Sequence, residues 1–181
     1  MKIDLPIIRL GSIYLREINE ADYMDYYLIG RDSKTTKHLN WGPFKRPDEA
    51  LWTIRNVFFK RPLDGLPIGY AICIGDEMIG MIDYHTLHKQ TNTVEVGYIL
   101  KREYWGQGIM KRCLKAIVDV GFKYLNYDKI VVGHTLDNIA SKKVILSAGF
   151  KYEYMRMVQI KDNYTFGLYY AYYKYEYFGG L

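Results

Sequence analysis

A strand-like run, Thr93–Leu100, leads through Gly106-Gln107-Gly108 into a long amphipathic helical pattern, and this succession limits the possible folds more than any other stretch. Ile109, Cys113, Ile117, Gly121 and Leu125 recur every four residues, with Met110, Leu114, Val118 and Phe122 beside them. One broad helix face is therefore built for burial. Glycine adopts left-handed backbone freely, so Gly106 and Gly108 let the chain turn tightly and aim successive N–H groups at one anion. A dinucleotide fingerprint would need a third glycine where Lys111 stands, and a Walker loop would need Gly-Lys-Ser/Thr, which is absent. A phosphate loop of another kind is expected; a plain strand-to-helix connector is the alternative.

The rest of the chain reads as one alternation of strands and helices without repeats or linkers. Ile8 to Ile18 is expected as a strand. Asn19-Glu-Ala-Asp22 starts a helix, and Pro47-Asp-Glu starts another, with proline at the first position and acids in the first turn. Pro67 to Ile74 and Glu77 to Leu87 form a hairpin about Gly75-Asp76, and Thr93 to Leu100 adds a third antiparallel strand. Lys129 to Thr135 follows the loop helix as a strand, and a helix over Asn138–Ala148 stops at Gly149. Two strands, near Tyr152–Ile160 and Phe166–Tyr177, end the chain. The tyrosines of Leu168–Phe178 suit a central strand with aromatic rings on both faces, although some rings are candidates for a homodimer contact or a substrate groove.

These words resemble the GNAT superfamily of acyl-CoA-dependent N-acyltransferases. Trp105-Gly-Gln-Gly-Ile-Met110 is similar to its Gln/Arg-x-x-Gly-x-Gly/Ala loop, Val94-Glu-Val-Gly-Tyr98 to its fourth strand, and Asp137–Ser141 through Ser147–Phe150 to its second CoA-contacting helix. Asn40-Trp-Gly-Pro43 and Asp48-Glu-Ala50 resemble the RimJ/RimL branch, the ribosomal-protein-alanine acetyltransferases. The resemblance runs over roughly residues 8 to 177. It implies an α+β domain over residues 1–181, with a mixed, mostly antiparallel seven-stranded sheet and about four flanking helices. The sheet is expected to splay between strands 4 and 5. Two positions depart from the pattern: Trp105 replaces Gln or Arg, and Met110 replaces Gly or Ala.

At 181 residues the chain suits a single domain with a sizeable core. Its net charge of +5 and pI near 9.0 suggest an anionic partner. No Arg/Lys block interleaved with aromatics favours nucleic acid, whereas the phosphates of coenzyme A suffice for Lys111 and Arg112; Lys115 fits a solvated face. Cys73 and Cys113, isolated in apolar segments, read as buried thiols. His85 and His88 lack a third ligand, so no metal is expected. No apolar run reaches about 18 residues and the N-terminus has no secretory pattern, so a cytoplasmic, membrane-free protein is expected.

For the chemistry, the resemblance implies acetyl-CoA as co-substrate. The backbone of Tyr98, Ile99 and Leu100 would hold the thioester and pantetheine, and Trp105, Gly106, Gln107, Gly108, Ile109 and Met110 would form the pyrophosphate loop. Asn138 and Ser141 share a face at a helix start, with capping an equal role for Asn138. Glu95, a carboxylate in an otherwise apolar strand, is the expected base, with a salt bridge as its structural alternative. Ser141 matches the acid of this branch; the tyrosine of many other members falls at Val144. The carboxylate that RimL-type enzymes carry on the sixth strand is replaced by Val158-Gln-Ile160. His134 is a proton shuttle or a satisfied core residue. Direct attack by a primary amine is expected, with a protein N-terminal α-amine favoured. Small amines (aminoglycosides, polyamines, amino acids) and a non-catalytic acyl-CoA-binding module are the alternatives. Asp22, Asp25 and Asp32 are candidates for attracting a cationic acceptor.

Overall fold

The computed structural model describes residues 3–179. In chain order the elements are β1 (Ile8–Leu10), β2 (Ile13–Glu17), α1 (Tyr23–Gly30), α2 (Pro47–Asn56), β3 (Tyr70–Ile74), β4 (Glu77–His88) and β5 (Thr93–Leu100). They continue with α3 (Ile109–Asp119), β6 (Lys129–Thr135), α4 (Ile139–Ser147), β7 (Lys151–Ile160), β8 (Asn163–Tyr173) and α5 (Lys174–Tyr177). The strands form one eight-stranded sheet in the order β1-β2-β3-β4-β5-β6-β8-β7. Among these pairs only β5 and β6 run parallel. The class is the expected α+β one, with one strand more than the seven expected.

The extra strand comes from the first one. Gly11 takes φ +72° and lets the chain reverse over Gly11-Ser12, so Leu10 pairs with Ile13 and Ile8 with Leu15. The expected fourth and fifth strands are thus β5 and β6. The chain end also differs. β8 stops at Tyr173, and the expected strand residues up to Tyr177 form the short α5, where Glu176 reaches back to the Tyr173 N–H.

Strand alternation divides the core between the two faces of the sheet. On β3, Tyr70 and Ile72 join the cluster under α3 and α4, while Ala71 and Cys73 join the one under α1 and α2. The α3 stripe packs as its spacing requires: Ile109, Met110, Cys113, Leu114, Ile117 and Val118 are all buried. Burying six such side chains contributes on the order of 10 kcal/mol before entropy is counted. Helical backbone continues past Asp119 as a π turn, Val120–Tyr124. The buried Tyr84 hydroxyl donates to the Ile117 carbonyl at 2.6 Å just before this widening, and a side chain entering the ladder is a known cause of such turns. β8 lies between β6 and β7, with Tyr170 facing the main core and Tyr169 on the other face, stacked on Tyr154 at 4.9 Å. No helix among the described residues is long and apolar enough to cross a membrane.

One irregularity positions the site. β5 and β6 pair only from Thr93–Lys129 to Val96–Val132; beyond Val96, β5 bonds to β4 alone and β6 to β8 alone. The sheet opens there into a wedge. On the neighbouring strand His85 is an extra residue, since Tyr84 pairs with Val96 and Thr86 with Glu95. Such a bulge turns side chains toward the opening.

Candidate active site

On one side of the wedge, a cavity of about 690 Å³ runs from Tyr98–Leu100 past Trp105, Gly106, Gly108 and Met110 to α4. Gly106 and Gly108 take φ +75° and +69°, and a Cβ at either would meet nothing within 4 Å. Backbone conformation, not crowding, therefore requires glycine there. Gly108 is the N-cap of α3 and supplies no side-chain cap. The first N–H groups of the helix consequently open on the cavity with the positive end of the helix dipole. Lys34, Lys37, Lys111 and Lys143 line the same space against one carboxylate, Asp137. This balance suits a phosphorylated ligand.

The expected loop residues divide by role. Trp105 braces the loop, its Nε1 donating to the Leu100 carbonyl at 2.7 Å. Gln107 lies outside the cavity wall and donates to the Glu103 carbonyl. Ile109 and Met110 are buried and packed into the core while still bordering the cavity. Arg112 is turned away to the Leu10 carbonyl, and Lys115 is solvated.

On the other side, a cavity of about 460 Å³ contains Glu95, Arg156 and Ser141. The two cavities share His38, Leu39, Tyr98 and Asn138, so they meet at the mouth of the wedge. Ser141 Oγ and the Tyr98 hydroxyl lie 2.7 Å apart at this junction. Burial pushes the Tyr98 hydroxyl up to about 12, against the opposing effect of the Ser141 hydrogen bond, so it stays protonated at neutral pH. Asn138 caps α4, its Oδ1 accepting from the Ser141 N–H at 3.1 Å. Capping is thus one role the geometry gives it, alongside its place in the walls of both cavities, and the same bond fixes Ser141.

Glu95 is 8% exposed, and its Oε1 accepts from His88 Nε2 at 3.2 Å and Arg156 Nη2 at 3.5 Å. The salt-bridge alternative is realised, while the carboxylate still borders the cavity. Val158, Gln159 and Ile160 line that cavity, and their strand contributes Arg156 rather than a carboxylate. His134 is a satisfied core residue, stacked on Tyr170 and bonded to its hydroxyl at 3.2 Å. The three helix acids are committed elsewhere: Asp22 to Arg16, Asp25 to the Met78 N–H and Asp32 to Arg102.

Two groups had no signal in the sequence. His38, from the loop between α1 and α2, bonds Thr135 on β6 at 2.9 Å. Behind Tyr98, a third cavity of about 480 Å³ is walled by aromatic rings and by the buried ion pair Arg61–Asp83. Both rest on contacts distant in sequence. Among the described residues no group of three metal-binding side chains comes together.

Residues 12–151 match the family described as the Acetyltransferase (GNAT) domain. The chain is 28% identical over 139 residues to an uncharacterized N-acetyltransferase, p20, of Bacillus licheniformis, covering 76% of each. It is also 28% identical over 143 residues to the ribosomal-protein-serine acetyltransferase of Escherichia coli K12, covering 77% of this chain and 79% of that one. Its fold superposes on a RimL ribosomal L7/L12 α-N-protein acetyltransferase in complex with coenzyme A. The TM-score is 0.82 at 20% identity, covering 93% of this chain and 98% of that chain.

Proposed function

The chain belongs to the GNAT acetyltransferase family, and from that premise we propose that it moves an acetyl group from acetyl-CoA to a protein N-terminal α-amine by direct attack. One observation carries the reading. An uncapped helix N-terminus, set by two left-handed glycines, opens on a lysine-rimmed cavity that meets a second, carboxylate-bearing cavity at Tyr98 and Ser141. Donor and acceptor would arrive from opposite sides of one opening in the sheet.

In this reading the α3 N-terminus and Lys111 hold the pyrophosphate. The side of β5 that faces the wedge has no strand to bond from Gly97 onward, so its N–H groups are available to the thioester carbonyl as negative charge develops. Such a donor is worth on the order of 3 kcal/mol in the transition state. The acceptor enters as an ammonium and must lose two protons overall, while the departing thiolate gains one. Glu95 accepts the first proton on the acceptor side. Tyr98 donates to Ser141 Oγ, which leaves the serine's own hydrogen for the sulfur. Similarity to ribosomal-protein acetyltransferases supports a peptide N-terminus as the acceptor.

Free-thiol release from acetyl-CoA, compared across N-terminal peptides and small amines, tests the reading. Turnover with peptides, lost in Glu95→Gln, is expected. Turnover with small amines alone would replace the acceptor. Acetyl-CoA binding without release from any amine would leave an acyl-CoA-binding module, and no binding near millimolar concentration would refute the donor.

A further inference from the structure

We propose that His38 is the base that takes the proton the amine nitrogen sheds as it bonds to the acetyl carbon. This inference rests on the reading above. His38 lies outside every recognisable motif, yet it is one of the four residues that line both cavities. Its side chain is 22% exposed, enough to meet a substrate and too little to be solvated freely.

Hydrogen-bond bookkeeping along the residues behind it determines its tautomer. Asp137 is held ionised, its carboxyl kept low first by the hydrogen bond from Lys37. An ionised carboxylate only accepts, so the Thr135 hydroxyl, 3.1 Å from Asp137 Oδ1, donates to it. With its hydrogen so committed, Thr135 Oγ1 must accept from His38 Nδ1 at 2.9 Å. Asp137 Oδ1 itself lies 3.3 Å from the same nitrogen. Nδ1 therefore carries the proton, and Nε2 keeps its lone pair. Nε2 makes no hydrogen bond among the described residues.

A carboxylate behind a histidine, with the distal nitrogen open, is the arrangement by which enzymes orient a general base. The charges around His38 keep it ready. Burial, Lys37 and His134 push its pKa below the usual histidine range, and Asp137 opposes them. The imidazole is thus neutral at pH 7. In the proposed step the amine attacks the thioester carbon, and the C–N bond forms as the carbonyl π bond opens. Nε2 takes one N–H proton, giving an imidazolium faced by Asp137 through Thr135. Collapse breaks the C–S bond and the sulfur takes its proton from Ser141, which regains one from the Tyr98 hydroxyl as solvent reprotonates that tyrosine; the imidazolium returns its proton to solvent.

The test uses the full chain with acetyl-CoA and the best acceptor of the amine panel. In His38→Gln, kcat is expected to fall about 10²- to 10⁴-fold, with the Kd for acetyl-CoA within threefold of wild type. A kcat within threefold of an active wild type overturns the assignment and leaves the acetyl-transfer reading standing. Asp137→Asn removes the charge that holds the His38 pKa up, so the acidic limb of kcat/KM should move to lower pH; an unmoved limb also overturns it. The ¹⁵N spectrum of the histidines needs no turnover, so it remains decisive even for an inactive wild type. It should report a neutral Nδ1–H tautomer at residue 38, and an Nε2–H tautomer refutes the proposal.

Discussion

Replacing Gly108 by alanine separates what the loop costs from what it binds. The backbone there sits at φ +69° with nothing within 4 Å of the new Cβ, so the change adds strain and no clash. A left-handed alanine costs about 1–2 kcal/mol, and the smaller entropy of the unfolded alanine chain offsets about 0.4–1 kcal/mol of that. The net is roughly 1 kcal/mol. If the loop is rigid, the free protein bears it, and Tm falls by about 2–4 °C at this chain length with CoA affinity unchanged. If the loop relaxes when empty, Tm holds and the Kd for CoA rises about fivefold instead. The two losses share one thermodynamic cycle, so their sum is the constrained quantity. Gly75, at φ +56° in the β3–β4 turn with equally open surroundings, supplies the reference away from the cavity. Differential scanning calorimetry and isothermal titration on Gly108→Ala and Gly75→Ala measure both parts. Loss of Tm in Gly75→Ala alone, with neither stability nor CoA binding changed in Gly108→Ala, would refute the role given to the left-handed turn.

Three further outcomes follow from the geometry. Arg61→Met and Asp83→Leu should each cost about 3–5 kcal/mol in urea unfolding by stranding a buried charge, while the double variant comes out near neutral; additive single costs would refute the pairing. Ser141→Ala should slow thiol release at pH 7, and its deficit should shrink above about pH 8.5, where a thiolate departs without a proton; a pH-independent deficit would remove Ser141 as the acid. Burial pushes the Cys113 thiol up to about 12 and raises Cys73 as well. Neither should react with iodoacetamide in the native state within hours, and rapid labelling by mass spectrometry would contradict their packing.

What could be read from the sequence was whatever is written in neighbouring residues. Pro47 at the start of α2, the Gly75-Asp76 reversal and Gly149 after α4, at φ +102°, act within a few positions. The four-residue recurrence of α3 needs only its own helix. The split of the first strand escaped because β1 is three residues long, too short to show alternation. The tyrosine-rich end escaped because its composition suits strand and helix alike, and a side-chain cap from Glu176 decides the matter. The left-handed turn at Gly106 and Gly108 was legible for the same local reason as α3. The contacts at the junction were not: His38 and Thr135 lie 97 positions apart, and although Ser141 and Tyr98 were each singled out, the hydrogen bond that joins them spans 43 positions. Glu95 was singled out correctly as unusual, but its partners His88 and Arg156 become visible only when β4 and β7 come together.

The early end of the β5–β6 pairing at Val96–Val132 has a consequence for how the protein responds to occupancy. Most sheets hide their unpaired edges from other chains; this one keeps two of them face to face inside the domain. An extended ligand bearing amides, laid along the opening, would serve as the missing rung between the halves. Filling the wedge should then be felt beyond the site itself, as slower amide hydrogen exchange at 97–100 and 133–135 and as firmer mechanical coupling of the β6-β8-β7 half to the rest. In that sense the eight-stranded sheet is joined at its middle by four residue pairs, and a ligand in the wedge would add to them.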